Sequence, residues 1–151
     1  MSLIPLDQYR KIMKVLPILC VDLIVQNTRG EYLLIKRANE PKKGRWWVIG
    51  GRVLKGETLE AAAARKLKQE TGLKAKDMRP VGYFELVKGV NPFGSSVFYH
   101  SVSVVFSVTT DKLQTVHLDS QSLGFKFAKT LPVDFYVKKF EDNAKKGKRR
   151  A

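Results

Sequence analysis

Two hydrophobic periods alternate along the chain. Over residues 6–16, LDQYRKIMKVL, the apolar positions Leu6, Tyr9, Ile12, Met13 and Leu16 recur three and four residues apart. That spacing predicts an amphipathic helix, which Pro17 closes. ILCVDLIVQ (18–26) reads as a strand. NTRGEYLLIKR (27–37) reads as a turn at Asn27–Gly30 and a second strand, so the two strands should form a hairpin. RWWVIGG (45–51) is a short strand halted by paired glycines. Helical spacing returns over residues 58–71, with Thr58 as N-cap and Gly72 as stop. PVGYFELV (80–87), VFYHSVSVVFSV (97–108) and LGFKF (123–127) are further strands, the first two joined by the Gly- and Pro-containing KGVNPFGSS. VDFYVKKFEDNAKK reads as a terminal helix, and no segment repeats. This order predicts an α+β fold, a mixed β-sheet packed between helices.

Size and charge narrow the classes. With 151 residues the chain is one domain, expected over 1–143, followed by a basic, disordered tail at 144–151. Its 28 Lys and Arg against 14 Asp and Glu leave a net charge of +14, which attracts polyanions such as nucleotides, nucleic acid or acidic lipid. The sequence carries neither an RNA-recognition aromatic motif nor zinc-finger spacing, so charge alone does not argue for a nucleic-acid partner. No apolar run has membrane-spanning length, and the N-terminus lacks the form of a signal peptide; the expected location is the cytoplasm, with no membrane partner. Cys20, the single cysteine, excludes an internal disulfide and sits in an apolar run, where a buried thiol is expected.

The chemistry gathers at GGRVLKGETLEAAAARKLKQETGL (50–73). A strand, two glycines, an arginine, a loop and a helix suit an anionic ligand. Glycines admit close backbone approach, Arg52 offers a forked contact to phosphate, and Glu70 offers a hard oxygen to a divalent ion. The spacing also matches the Nudix signature, G, five residues, E, seven residues, then R-E-U-x-E-E-x-G-U with U a bulky aliphatic. Gly51, Glu57, Arg65, Leu67, Glu70, Gly72 and Leu73 fall in register, so the chain resembles a Nudix hydrolase. Two carboxylate positions of that signature hold Lys66 and Gln69 instead. Glu70 is thus the one direct ligand candidate on the helix, suited to a single diphosphate-bound Mg²⁺.

The same reduced signature is similar to that of the GDP-mannose mannosyl hydrolase branch, which carries a GGRV run followed by ETLE. VDLIV around Asp22, NTRGEYLLIKR, the stretch from Lys36 to Pro41, Gly44 and Trp46 extend the resemblance. It implies a Nudix-type fold and hydrolysis at the sugar's anomeric carbon, releasing sugar and nucleoside diphosphate. By position it implies Mg²⁺ on the Gly50 carbonyl, Glu70 and Gln121. Arg37 and Arg52, with Lys36 beside them, fall at the diphosphate, Asp22 on the sugar side, and Tyr9 near the base. Glu57 and Arg65 correspond to a pair that braces the loop and helix. The family's general-base histidine follows the metal-binding glutamine, where this chain has Ser122; a family tyrosine after His100 is Ser101. His117 is the alternative base candidate if its loop folds back, while His100 is expected to be packed or hydrogen-bonded. Three readings therefore stand: a hydrolase of nucleoside diphosphate sugars, a Nudix enzyme attacking phosphorus of another nucleoside diphosphate derivative, and a non-catalytic nucleotide- or RNA-binding domain. Expected partners are a nucleoside diphosphate sugar and a second copy of the chain.

Overall fold

The computed structural model describes residues 4–39, 43–89, 98–110, 115–119 and 122–131. The terminal helix expected from Val133, most of the KGVNPFGSS link, the basic tail and Gln121 lie outside them. The described elements run α1 (Leu6–Val15), β1 (Ile18–Gln26), β2 (Tyr32–Arg37), β3 (Trp46–Trp47), β4 (Ile49–Arg52), α2 (Leu59–Thr71), β5 (Ala75–Gly89), β6 (Tyr99–Thr110) and β7 (Ser122–Ala128). One mixed sheet has the order β3-β2-β1-β6-β5, with β4 also pairing β1 and β7 pairing β2. Among the described residues no helix is long and apolar enough to cross a membrane.

β1 is the centre of this sheet, and its sequence says why. Its residues are almost all buried, as a strand covered on both faces requires. It pairs in parallel with β6 over its whole length and antiparallel with β4 from Cys20 to Leu23. The expected hairpin with β2 is therefore reduced to its turn end, where Gln26 meets Tyr32. Asn27 fixes that turn: its Oδ1 accepts the N–H groups of Arg29 and Glu31, each at 3.0 Å, while Gly30 adopts φ 77°. β2 then diverges to pair with β3 and β7.

β5 begins at Ala75, earlier than the sequence pattern suggests. Pro80 reads as a strand boundary, yet β5 is an edge strand, where a residue without an N–H is tolerated. A register shift between Pro80 and Gly82 absorbs the irregularity.

Alternation along β1 divides the core. Val21, Leu23 and Val25 pack with Ala62, Ala63 and Leu67 of α2, as well as Ile49, Phe106 and Val108. On the opposite face Ile18 and Cys20 pack with Tyr9 and Met13 of α1 and with Tyr99, while Ile24 joins Tyr32, Leu34 and Val105. α2 starts where Thr58 Oγ1 accepts the Ala61 N–H at 3.1 Å and stops at Gly72, whose φ of 71° is the left-handed conformation glycine adopts without strain.

Candidate active site

The loop between β4 and α2 is held by one arginine. Arg65 Nη2 donates to Glu57 Oε1 at 2.5 Å and to the Arg52 carbonyl at 2.9 Å, and its Nε donates to Glu57 Oε2 at 3.0 Å. Glu57 Oε1 also accepts the Leu54 N–H at 2.6 Å. These bonds tie helix, loop and strand together, and the Arg65 hydrogen bonds hold the Glu57 carboxyl below its ordinary range. The pair is a brace, as the resemblance implied.

Two glycines of β4 make room for two different charges. A Cβ on Gly50 would lie 2.1 Å from Asp22 Oδ1, so only glycine lets Asp22 stand against this strand. A Cβ on Gly51 would meet Lys66 Cε at 2.7 Å and Nζ at 3.1 Å. The space left by Gly51 is filled by the Lys66 side chain reaching across from α2.

Lys66 Nζ then pairs with Glu70 Oε1 at 2.5 Å, both side chains being largely buried. Burial raises the Glu70 carboxyl above its ordinary value, and the Lys66 ammonium pulls it back down. Asp119 and Arg37 act on the same carboxyl, the first raising and the second lowering its proton affinity. Arg37 of β2 faces Ser122 of β7 across the ladder, at a register shift, and the buried Ser122 Oγ has no hydrogen-bond partner among the described residues. Arg37, Lys66, Glu70, Asp119 and Ser122 thus form one neighbourhood.

The other charged group lies on the α1 side. Arg52 pairs with Cys20 in register and lays its guanidinium 4.2 Å from the centre of the Tyr9 ring. Tyr9 is buried beneath it, 4% exposed. Tyr9, expected near the base, contacts Arg52. Cys20 is buried as expected, its Sγ 3.6 Å from the Tyr99 hydroxyl, and burial pushes its thiol up to about 11. The charges of Arg52, Asp22 and Lys66 all reach Cys20, so Lys66 stands between the two groups.

The two histidines have different partners. His117 donates its backbone N–H to the Thr71 carbonyl at 3.0 Å and sets its exposed imidazole against Gly72, where α2 ends. His100 meets Glu85 at 3.3 Å, the hydrogen-bonded role expected of it. Lys36 pairs with Trp46 and Gly124 along β2, one residue from Arg37. Asp119 went unnoticed in the sequence because it belongs to no motif. The Lys66–Glu70 pairing was readable in principle, since residues four apart share a helix face.

Among the described residues no three His, Cys, Asp or Glu side chains cluster as metal ligands. Gln121, expected as a ligand beside the Gly50 carbonyl and Glu70, lies outside them.

Comparison with known proteins places this geometry. The chain is 33% identical over 123 residues to the low-salt glycan biosynthesis protein Agl8 of Haloferax volcanii, covering 82% of this chain and 78% of that one. It is 39% identical over 90 residues to an ADP-ribose pyrophosphatase of Methanocaldococcus jannaschii, covering 60% of this chain and about half (49%) of the relative. Among solved structures, the MutT protein of Methanosarcina mazei Go1 superposes with a TM-score of 0.65 at 23% identity, over 87% of this chain and 96% of that one, a likeness of fold. The NUDIX domain matches residues 16–149. The chain belongs to the NUDIX family, hydrolases of nucleotide derivatives that generally use divalent metal ions.

Proposed function

We propose that the protein hydrolyses nucleoside diphosphate sugars of the GDP-mannose type at the anomeric carbon. The oxygen of water bonds to that carbon, the bond from carbon to the diphosphate oxygen breaks, and the nucleoside diphosphate leaves with the electron pair. The proton of the attacking water goes to a base in the loop before β7. The observation that carries this reading is the Lys66–Glu70 ion pair beside Gly51. A helix that attacks phosphorus through bound metal needs several carboxylates; at the signature positions α2 presents Lys66, Gln69 and one acid, Glu70, while its other glutamate, Glu60, is exposed in the first turn. Positive groups at a leaving diphosphate stabilise the charge that develops there.

The residues divide the work accordingly. Arg37, Lys36 and Arg52 hold the diphosphate, Arg52 through a planar fork steadied on Tyr9. Asp22, held against Gly50, takes the sugar side. Ser122 offers its hydroxyl to the substrate next to Arg37. With His117 resting on Gly72, Asp119 is the candidate base, a carboxylate facing water as in glycoside hydrolysis by inversion. The similarity to a glycan biosynthesis protein supports a sugar-bearing substrate.

Metal is where this chain departs from the family. Lys66 lies against Gly51 and Glu70 is already paired with it, so among the described residues this site does not fit a resident ion held by helix carboxylates. In this reading Mg²⁺ is a companion of the substrate's diphosphate.

A second reading, attack at phosphorus, is favoured by the similarity to an ADP-ribose pyrophosphatase. A panel of nucleoside diphosphate sugars, incubated with the protein and Mg²⁺, separates them by product. Free hexose and nucleoside diphosphate support the first reading; a nucleoside monophosphate and a sugar phosphate contradict it and leave the second.

A further inference from the structure

We infer that the Lys66 ammonium is a built-in counter-cation for the substrate's diphosphate, standing where the family signature would place a metal-binding carboxylate. Three observations converge. Gly51 of β4 has no side chain, and a Cβ there would lie 2.7 Å from Lys66 Cε, so the strand leaves open the space that this lysine occupies. Glu70 fixes the ammonium at 2.5 Å. An ammonium has three donors, so one bond to Glu70 leaves two. The lysine keeps a small opening to the outside, its side chain 10% exposed against 5% for Glu70.

The arrangement is a cation held by one carboxylate beside a glycine of β4. It offers charge and directed N–H groups to phosphate oxygens without a metal. Arg37 and Arg52 lie within reach of the same electrostatic neighbourhood, Arg37 through Glu70 and Arg52 through Cys20. The signature glutamate at this position would do the reverse, repelling a diphosphate until a divalent ion intervened.

This inference rests on reading the site as a diphosphate site, and calorimetric titration of the whole protein with GDP separates the two. In EDTA the wild type should bind GDP with an affinity within a few-fold of that in Mg²⁺. Lys66→Met should lose at least about tenfold of the EDTA affinity, the value of a charge-assisted hydrogen bond. Lys66→Met leaves Glu70 buried alone, so the double variant Lys66→Met/Glu70→Gln, which removes both charges, should show the same loss in a folded protein. Lys66→Glu should bind GDP only when a divalent ion is present, and should take up Mn²⁺ detectable by electron paramagnetic resonance more tightly than wild type. Wild-type binding that requires Mg²⁺, or undiminished EDTA binding in both Lys66→Met and Lys66→Met/Glu70→Gln, contradicts the inference and leaves the proposed function standing. Absence of GDP binding with and without Mg²⁺ contradicts both.

Discussion

Arg52 and Ser122 mark the two ends of the proposed site, and each can be altered with a defined consequence. The Arg52 guanidinium sits 4.2 Å from the Tyr9 ring centre, a geometry that suits its flat face and aims its donors. Arg52→Lys keeps the charge but loses the fork. It should lower kcat/KM by about tenfold or more, the scale of a charged hydrogen bond, with thermal stability nearly unchanged; steady-state kinetics and a melting curve check both. By the resemblance to the GDP-mannose mannosyl hydrolase branch, Ser122 falls where that branch keeps its basic histidine. Asp119→Asn should lower sugar release from GDP-mannose by about 10²- to 10⁴-fold, the typical worth of general-base assistance, and adding Ser122→His in that background should restore at least about tenfold. The imidazole acts as a base only when neutral, so the added rate should climb as pH rises through its pKa, between roughly 5.5 and 7.5. His117, packed on Gly72, should be dispensable. His117→Ala should keep the rate within about twofold, far from the loss that removal of a general base brings.

At the scale of elements, the loop between β4 and α2 depends on Glu57 and Arg65. Glu57→Gln removes the ion pair and weakens the bonds that join the Leu54 N–H and the Arg65 guanidinium. The melting temperature should fall by on the order of 5–10 °C. The same pair sets a pH dependence. Folding depresses the Glu57 carboxyl below its ordinary 4.5. Its contribution is therefore complete above 4.5 and disappears as pH falls through the lower folded value. Wild-type melting temperature should decline in acid more steeply than that of Glu57→Gln, whose amide does not titrate. The brace was legible in the sequence because a fixed spacing encodes it. α1 and α2 were equally legible from their periodicity and caps, and most strands from their apolar runs. The single strand expected over 45–51 is instead two, Trp46–Trp47 and Ile49–Arg52, with the paired glycines inside the second rather than ending the first. What escaped was long-range pairing. The parallel partnership of β1 with β6 spans distant segments, and nothing local in ILCVDLIVQ announces it. Lys66 was visible only as a missing carboxylate. That it fills the Gly51 cradle depends on how α2 packs against β4, which no single segment encodes. Asp119 meets Glu70 for the same reason, through tertiary packing of a loop without a motif.

At the scale of the molecule, a net charge of +14 surrounds the site proposed for a diphosphate. Such a field steers anionic substrates toward the protein and is screened by salt, with a Debye length that contracts from about 10 Å at 0.1 M to about 3 Å at 1 M. KM for a nucleoside diphosphate sugar should therefore rise several-fold over that range while kcat changes little, which initial rates at several salt concentrations test. The central claim is that water attacks carbon, with the cationic site receiving the diphosphate as it leaves. The most direct measurement is hydrolysis of GDP-mannose in water enriched in oxygen-18, followed by mass spectrometry of both products. Attack at carbon puts the label in the free mannose and leaves GDP unlabelled. Label in a phosphate product would show attack at phosphorus and contradict the account.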